Sequence, residues 1–116
     1  MLFLGYSKCS TSRRALAWLK DRIGEVPFRD LKEQPPTVEE LRAWHALSGL
    51  PLKRFFNTSG LQYKALGLKD RLPGMDEQAQ LELLSSDGML VKRPLLVGDG
   101  WVLVGFREEE WARRLG

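Results

Sequence analysis

Residues 1–31, MLFLGYSKCSTSRRALAWLKDRIGEVPFRDL, predict a strand, a helix and a second strand in direct succession. The first six residues are an apolar run that ends at polar Ser7, as expected of a buried strand. Gly24 stands where the following helix should end, and residues 26–30 alternate like a second strand. The apolar residues that recur at helical spacing between them are Ala15, Leu16, Leu19 and Ile23. Such a unit of about thirty residues predicts two parallel strands joined by a right-handed crossover.

Residues 35–86 change in character and predict a series of helices inserted between two halves of a sheet. Thr37 and Glu40 form the Thr-x-x-Glu capping box that opens a helix, and Gly49 is placed to end it. The apolar residues on one side of this helix are Leu41, Trp44 and Leu47. Asp76 can cap a last helix before the turn at residues 87–88. We call residues 35–86 the helical insert.

The end of the chain returns to strands. Residues 94–106, PLLVGDGWVLVGF, are two apolar runs around a Gly-Asp-Gly turn and predict a hairpin. Residues 107–116, REEEWARRLG, place glutamates early and arginines late, which matches the dipole of a helix. The resulting order is strand-helix-strand, helical insert, strand-strand-helix. It predicts an α/β, thioredoxin-like fold with a mixed four-stranded sheet, in a single domain over residues 1–116.

Composition limits the functional classes. The chain is 43% hydrophobic and 28% charged, as in globular proteins. No apolar run reaches the ~20 residues of a membrane helix, and we expect a cytoplasmic protein. The formal net charge is only +3, and basic and acidic residues are mixed along the sequence, so no dedicated nucleic-acid surface is expected. The single cysteine excludes an internal disulfide, and no cysteine–histidine set for a metal is present.

Cys9 is that single cysteine, and it lies at the predicted junction between strand and helix. One interpretation is a small buried apolar side chain, which free cysteines commonly are. The alternative is a reactive thiol, because a helix N-terminus lowers a cysteine pKa from about 8.5 to as little as ~3.5–7.5. The neighbouring residues that add charge, hydroxyls or amides are Lys8, Ser10, Thr11, Ser12, Arg13 and Arg14. They favour the interpretation of Cys9 as a nucleophile. We predict that the thiolate or a substrate is held by Lys8, Ser10, Thr11, Ser12 and Arg13.

Arg93 and Pro94 are the second candidate pair. Pro94 opens a predicted strand, where its missing N–H is tolerated. In a thioredoxin-like fold the proline at this place is usually cis and faces the active cysteine, which would bring Arg93 beside Cys9. From these two residues alone, Arg93 could equally be an exposed arginine before a strand. His45, the only histidine, fits packing or surface better than catalysis.

Four segments together resemble the ArsC-like branch of the thioredoxin superfamily, which includes arsenate reductases, Spx-type transcription regulators and YffB-like thiol reductases. The segments are KCSTSRRAL (8–16), FFNTSGLQYKALGL (55–68), DGMLVKRPLLV (87–97) and LVGFREEEW (103–111). They occur in family order and with family spacing over nearly the whole length. The resemblance implies the helical insert, a catalytic Cys9 and a supporting Arg93.

The chain also departs from the family pattern. Arsenate reductases surround the oxyanion with several arginines, one of them in the helical insert, whereas the corresponding loop here is Asn57-Thr58-Ser59-Gly60. The third family arginine has no clear match, although Arg107 lies nearby. Redox-switched Spx regulators carry Cys-x-x-Cys, but Ser12 stands at the second position here, so that switch cannot form.

These observations predict a monothiol oxidoreductase in which Cys9 attacks a disulfide or an oxyanion. An external thiol such as glutathione, or a glutaredoxin-like partner, must then release Cys9 from the resulting adduct. No metal or bound cofactor is implied. We expect a monomer that binds neither nucleic acid directly nor membranes. The alternative is a Spx-like regulator that binds RNA polymerase without catalysis. Arsenate reduction with Arg13 and Arg93 alone ranks third.

Overall fold

A computed structural model describes residues 1–115 of the chain. The protein has one four-stranded sheet in the order β2-β1-β3-β4. The strands are β1 (Leu2–Gly5), β2 (Phe28–Asp30), β3 (Leu95–Val97) and β4 (Val102–Val104). Strands β1 and β2 are parallel, and β3 runs antiparallel to both β1 and β4. The predicted mixed four-stranded sheet is therefore confirmed.

The helices also follow the predicted order. Within residues 1–115 the α-helices are α1 (Ser10–Ile23), α2 (Val38–Ser48), α3 (Leu61–Ala65), α4 (Leu68–Arg71), α5 (Glu77–Ser86) and α6 (Glu108–Leu115). Short 3₁₀ turns cover Leu52–Phe55, Leu72–Gly74 and Gly88–Leu90. Helices α2 to α5 lie between β2 and β3, inside the predicted helical insert.

Capping explains the bounds of the longer helices. The Thr37 hydroxyl accepts from the Glu40 N–H at 3.1 Å, and the Glu40 carboxylate accepts from the Thr37 N–H at 2.9 Å, so the capping box that begins α2 is present. Gly49, with φ of 69°, ends that helix in the left-handed region. The Asp76 carboxylate accepts from the Ala79 N–H at 2.8 Å and begins α5.

The last apolar residue of the helical repeat is exposed in both α1 and α2. Ile23 is the last residue of α1 and is 42% exposed, whereas Ala15 and Leu19 of the same helix are buried. Leu47 of α2 is 45% exposed, whereas Leu41 and Trp44 of the same helix are buried. In both helices the apolar stripe therefore extends one turn beyond the part that the protein covers.

The sheet separates two apolar clusters, because successive strand residues point to opposite faces. One cluster joins the sheet to α1 and α6 through Phe3, Ala15, Leu19, Leu96, Leu103 and Trp111. The opposite cluster joins the sheet to the helical insert through Leu4, Leu41, Trp44, Leu81, Leu84, Leu95, Val102 and Val104. The helical insert thus covers one whole face of the sheet. No helix among residues 1–115 is long and apolar enough to cross a bilayer.

Candidate active site

Cys9 is the residue that precedes the first turn of α1. Its N–H donates to the Tyr6 carbonyl at 2.9 Å, and its own carbonyl accepts from the Arg13 N–H at 3.0 Å. The backbone is extended, with φ of −93° and ψ of 123°, as at an ordinary N-cap. No side chain caps α1 by a hydrogen bond. The amides of the first turn are therefore left to the half-buried sulfur.

Several donors act on the Cys9 sulfur. Burial raises the pKa of the thiol, but hydrogen bonds from the Ser12 backbone and hydroxyl, the Arg93 side chain and the Thr11 backbone outweigh burial. The pKa of Cys9 is consequently lowered from its ordinary value. Three of these four contacts come from the first turn of α1, and the fourth comes from Arg93, just before β3. The arrangement favours a thiolate.

Ser12 owes its position to the end of β1. It is only 2% exposed, and its hydroxyl oxygen accepts from the Tyr6 N–H at 3.2 Å. With that lone pair occupied, the hydroxyl proton is free to point to Cys9. A Cβ on Gly5 would lie 3.1 Å from the Ser12 oxygen and 2.8 Å from the Phe3 ring, so glycine permits the close approach.

Arg93 reaches the sulfur from the opposite side. The Arg93–Pro94 peptide bond is cis, and Pro94 is buried with its carbonyl accepting from the Gly105 N–H at 2.8 Å. The Arg93 guanidinium lies 5.5 Å from the centre of the Tyr6 ring and donates to the Met89 carbonyl at 3.3 Å. Two fixed contacts therefore orient the fork that lowers the Cys9 pKa.

Two short backbone hydrogen bonds attach the helical insert to the strand that leads to Arg93. The Asn57 N–H donates to Leu90 and the Lys92 N–H donates to Phe55, both at 2.7 Å. Phe56 and Val91 form an antiparallel bridge between these bonds. This connection brings residues 54–60 to the same side of the molecule as Cys9.

A cavity of about 550 Å³ opens at Cys9. Its lining residues are Cys9, Thr11, Arg54, Asn57, Ser59, Gly60, Leu61, Lys92, Arg93, Val104, Gly105, Phe106 and Arg107. Four of them are cationic, and none is acidic. The site therefore combines a thiolate with a strongly positive surround, which suits an anionic substrate.

The predicted site residues divide into three groups. Cys9, Thr11 and Arg93 line the cavity, whereas Ser12 and Pro94 lie behind them as buried supports. The exposed side chains of Lys8, Ser10 and Arg13 do not line the cavity. None of these last three is among the groups that lower the Cys9 pKa.

Sequence reasoning missed Arg54 and Lys92 and left Arg107 undecided. The loop 57–60 indeed has no arginine, but Arg54 lies on the 3₁₀ turn just before it and lines the same cavity. Lys92 lies next to Arg93 in the sequence, and its side chain comes within 3.3 Å of where a Gly105 Cβ would stand. The position of Lys92 beside Arg93 was the one signal in the sequence that could have placed this lysine at the site. Residues 1–115 contain no group of three potential metal-ligating side chains.

The chain is similar in sequence to a family model and to several known proteins. Residues 4–114 match the family model described as the ArsC family. Over 111 residues the chain is 50% identical to the protein YusI of Bacillus subtilis, covering 96% of this chain and 94% of YusI. It is 31% identical over 110 residues to the global transcriptional regulator Spx of Enterococcus faecalis, covering 92% and 80% of the two chains. It is 30% identical over 99 residues to an arsenate reductase of Neisseria meningitidis, covering 84% and 83%.

Among solved structures, an ArsC-family-related protein from Bacteroides fragilis superposes with a TM-score of 0.93 at 53% identity, covering 97% of this chain and 94% of that one. The thioredoxin-like fold expected from the sequence is thereby confirmed. Family model, relatives and structure agree over almost the whole length, and this chain is a member of the ArsC family.

Proposed function

We propose that the protein is a thiol-dependent oxidoreductase with Cys9 as its only nucleophile. The observation that carries the proposal is the setting of Cys9. The pKa of its thiol is lowered, and Cys9 lines a cavity that four cationic side chains also line. A thiolate is the reactive form of cysteine, and an accessible, electropositive surround is typical of working thiols rather than of buried apolar ones.

The reaction proposed is thiol–disulfide exchange. Cys9 Sγ attacks one sulfur of a disulfide, a new S–S bond forms, and the other sulfur leaves as a thiolate that takes a proton from solvent. The chain has no second cysteine, so nothing within it can displace the adduct. A small external thiol, or a glutaredoxin-like protein, attacks the mixed disulfide and restores Cys9. Glutathione is the reductant to test first.

An oxyanion is the other substrate that this site could serve. The sequence left only Arg13 and Arg93 for arsenate, whereas the cavity offers Arg54, Lys92, Arg93 and Arg107. Each charge-assisted hydrogen bond is worth about 1.5–3 kcal/mol, so these cations strengthen the case for an anionic substrate. The similarity to an arsenate reductase supports the same conclusion.

A regulator that binds RNA polymerase is the second candidate, and it is favoured by the 31% identity to Spx. Such a protein needs no reactive thiol.

In the oxidoreductase proposal the protein acts as a monomer, and its need for reduced thiols fits the expected cytoplasmic location.

Incubation with oxidised glutathione separates the two candidates. We expect one glutathione to add to Cys9, as seen by intact mass, because no internal thiol can displace it. A glutaredoxin should remove it catalytically, and Cys9→Ser should remain unmodified. If no adduct forms while both wild type and Cys9→Ser bind RNA polymerase equally, the oxidoreductase proposal is wrong and the regulator is favoured.

A further inference from the structure

A second cavity of about 550 Å³, lined mostly by residues of the helical insert, adjoins the cavity at Cys9. Arg54 and Lys92 line both cavities and so form the boundary between them. The lining residues of the second cavity are Lys53, Arg54, Phe56, Thr58, Tyr63, Lys69 and Lys92. We call the two together the basic groove.

The basic groove concentrates positive charge. Its cations are Lys53, Arg54, Lys69, Lys92, Arg93 and Arg107, and no acidic residue lines either cavity. Within residues 1–115, none of the six forms a salt bridge. They are a third of the 18 basic residues, and the 15 acidic residues outnumber the other 12. The mixed charge pattern of the sequence therefore conceals a strong segregation on the folded surface.

We propose that the basic groove binds an acidic peptide segment that presents an oxidised cysteine to Cys9. The inference rests on the proposed function and specifies its substrate class. The negative side chains of the peptide would lie against the lysines of the second cavity, while its disulfide enters the first.

The size and surface of the basic groove favour a peptide over other anions. Pockets for small ligands measure about 300–1,000 Å³, and the two cavities together exceed the space that a tetrahedral oxyanion or one small thiol needs. Single-stranded nucleic acid would require exposed aromatic rings for stacking. The aromatic residues of the second cavity, Phe56 and Tyr63, are only 1% and 6% exposed. They form the floor of the second cavity. The first cavity has one aromatic lining residue, the half-buried Phe106, so the groove offers no series of rings on which successive bases could stack.

The chemistry balances as exchange between the peptide and a small thiol. The substrate is a peptide cysteine joined by a disulfide to a small thiol. Cys9 Sγ bonds to the small-thiol sulfur, the peptide sulfur leaves as a thiolate, and solvent protonates it. A second small-thiol molecule then attacks the adduct, releases Cys9 and departs as the small-molecule disulfide. The peptide is reduced and the small thiol is oxidised.

The test compares two synthetic peptides that each carry cysteine disulfide-bonded to 2-mercaptoethanol, which is neutral. In one peptide glutamates flank the cysteine, and in the other glutamines replace them. We expect the second-order rate constant for forming the Cys9 adduct to be about tenfold larger for the acidic peptide at low ionic strength. The ratio should fall toward one as salt is added.

Two double variants locate the effect. Lys53→Gln/Lys69→Gln removes two charges from the second cavity and should abolish most of the preference for the acidic peptide. Lys20→Gln/Lys32→Gln removes two exposed charges elsewhere and should leave it intact. Because the readout is the ratio between two peptides, any general change in Cys9 reactivity cancels. The reduced acidic peptide should also bind Cys9→Ser, with the same dependence on salt.

The outcomes that overturn the proposal are separable. If oxidised glutathione reacts but the two peptides react equally, the peptide site is wrong and the proposed function stands. If neither oxidised glutathione nor any peptide reacts, both are wrong. If a single-stranded oligonucleotide displaces the acidic peptide from Cys9→Ser at lower concentration than the peptide itself, the basic groove is a nucleic-acid site instead.

Discussion

Cys9 shows how a few hydrogen bonds decide the reactivity of a thiol. Burial alone raises the pKa of this group, and the opposing contacts come from Ser12, Arg93 and Thr11. The nearest cations in the sequence, Lys8 and Arg13, are exposed and make no such contact. Proximity along the chain is therefore a poorer guide than direction, because a screened charge in water acts weakly on a partly buried sulfur.

Arg93→Ala should raise the pKa of Cys9 and slow its alkylation at neutral pH. The variant removes a donor to the thiolate while leaving the helix contacts in place, so we expect little loss of stability. Arg93→Lys should restore only part of the effect, because a point charge cannot reproduce the planar fork held over Tyr6. The thiolate absorbance as a function of pH gives the pKa directly, and in wild type it should titrate below an ordinary thiol.

Arg13→Ala is the matched control for this experiment. It removes the same charge four residues from Cys9 but no contact to the sulfur, so the titration curve should barely move. Equal shifts in the two variants would mean that bulk charge sets the pKa of Cys9. An unchanged titration in Arg93→Ala would remove Arg93 from the thiolate site.

The sequence predicted the position of Cys9 but only some of the side chains around its sulfur, and the reasons are physical. The position of Cys9 follows from local signals, since an apolar strand runs directly into a helical repeat. Arg54 could not be placed in this way. Its location depends on the bonds between residues 55–57 and 90–92, which are more than thirty positions apart in sequence. No propensity or periodicity encodes such a pairing.

At the scale of elements, one ion pair links β2 to α2. Arg29 in β2 binds both carboxylate oxygens of Glu40, at 2.7 and 2.9 Å. The hydrogen bond from Arg29 is the main cause that lowers the pKa of Glu40, with burial opposing it and Thr37 adding to it. The sequence predicted the capping box of Thr37 and Glu40. It did not predict the arginine, because that contact depends on how the helical insert packs beside the sheet.

Glu40→Gln should destabilise the protein by about 0.5–1 kcal/mol at neutral pH, since a bidentate, partly buried pair belongs at the upper end of the range for surface ion pairs. The amide can still accept from the Thr37 N–H, so the capping box should survive. Because the pKa of Glu40 is lowered in the folded state, the stabilisation is present above its unfolded pKa and is lost as pH falls through the folded value. Urea unfolding across the acidic range tests this.

Glu39→Gln is the control, since Glu39 lies in the same first turn and is exposed. Its stability curve should run parallel to that of wild type. The curve for Glu40→Gln should instead converge with wild type at low pH. A constant gap at every pH would show that Glu40 acts through packing rather than through charge.

For the whole molecule, the central question is whether the helical insert and the sheet fold together. One apolar cluster contains residues from both, including Leu4 and Leu95 of the sheet and Trp44 of α2. The two ends of the segment between β2 and β3 also meet. Gly88 is buried there, and a Cβ on it would stand 1.7 Å from the Leu31 carbonyl oxygen. We therefore expect one cooperative unit, as predicted for residues 1–116.

Gly88→Ala should lower the stability of the entire protein by about 3 kcal/mol, because the new methyl group forces backbone apart at a closed junction. Gly74→Ala adds the same group where no atom lies within 4 Å, and it should change stability little. Far-ultraviolet circular dichroism follows all the helices, of which α2 to α5 lie in the insert and α1 and α6 lie against the sheet. In a Trp44→Phe background, fluorescence follows only tryptophans outside the insert. In Gly88→Ala the two signals should shift together to lower urea, because a shared core transmits the strain. If part of the dichroism signal falls at lower urea while the fluorescence midpoint stays at the value of the Trp44→Phe parent, the insert unfolds separately from the sheet, and the single-domain prediction is wrong.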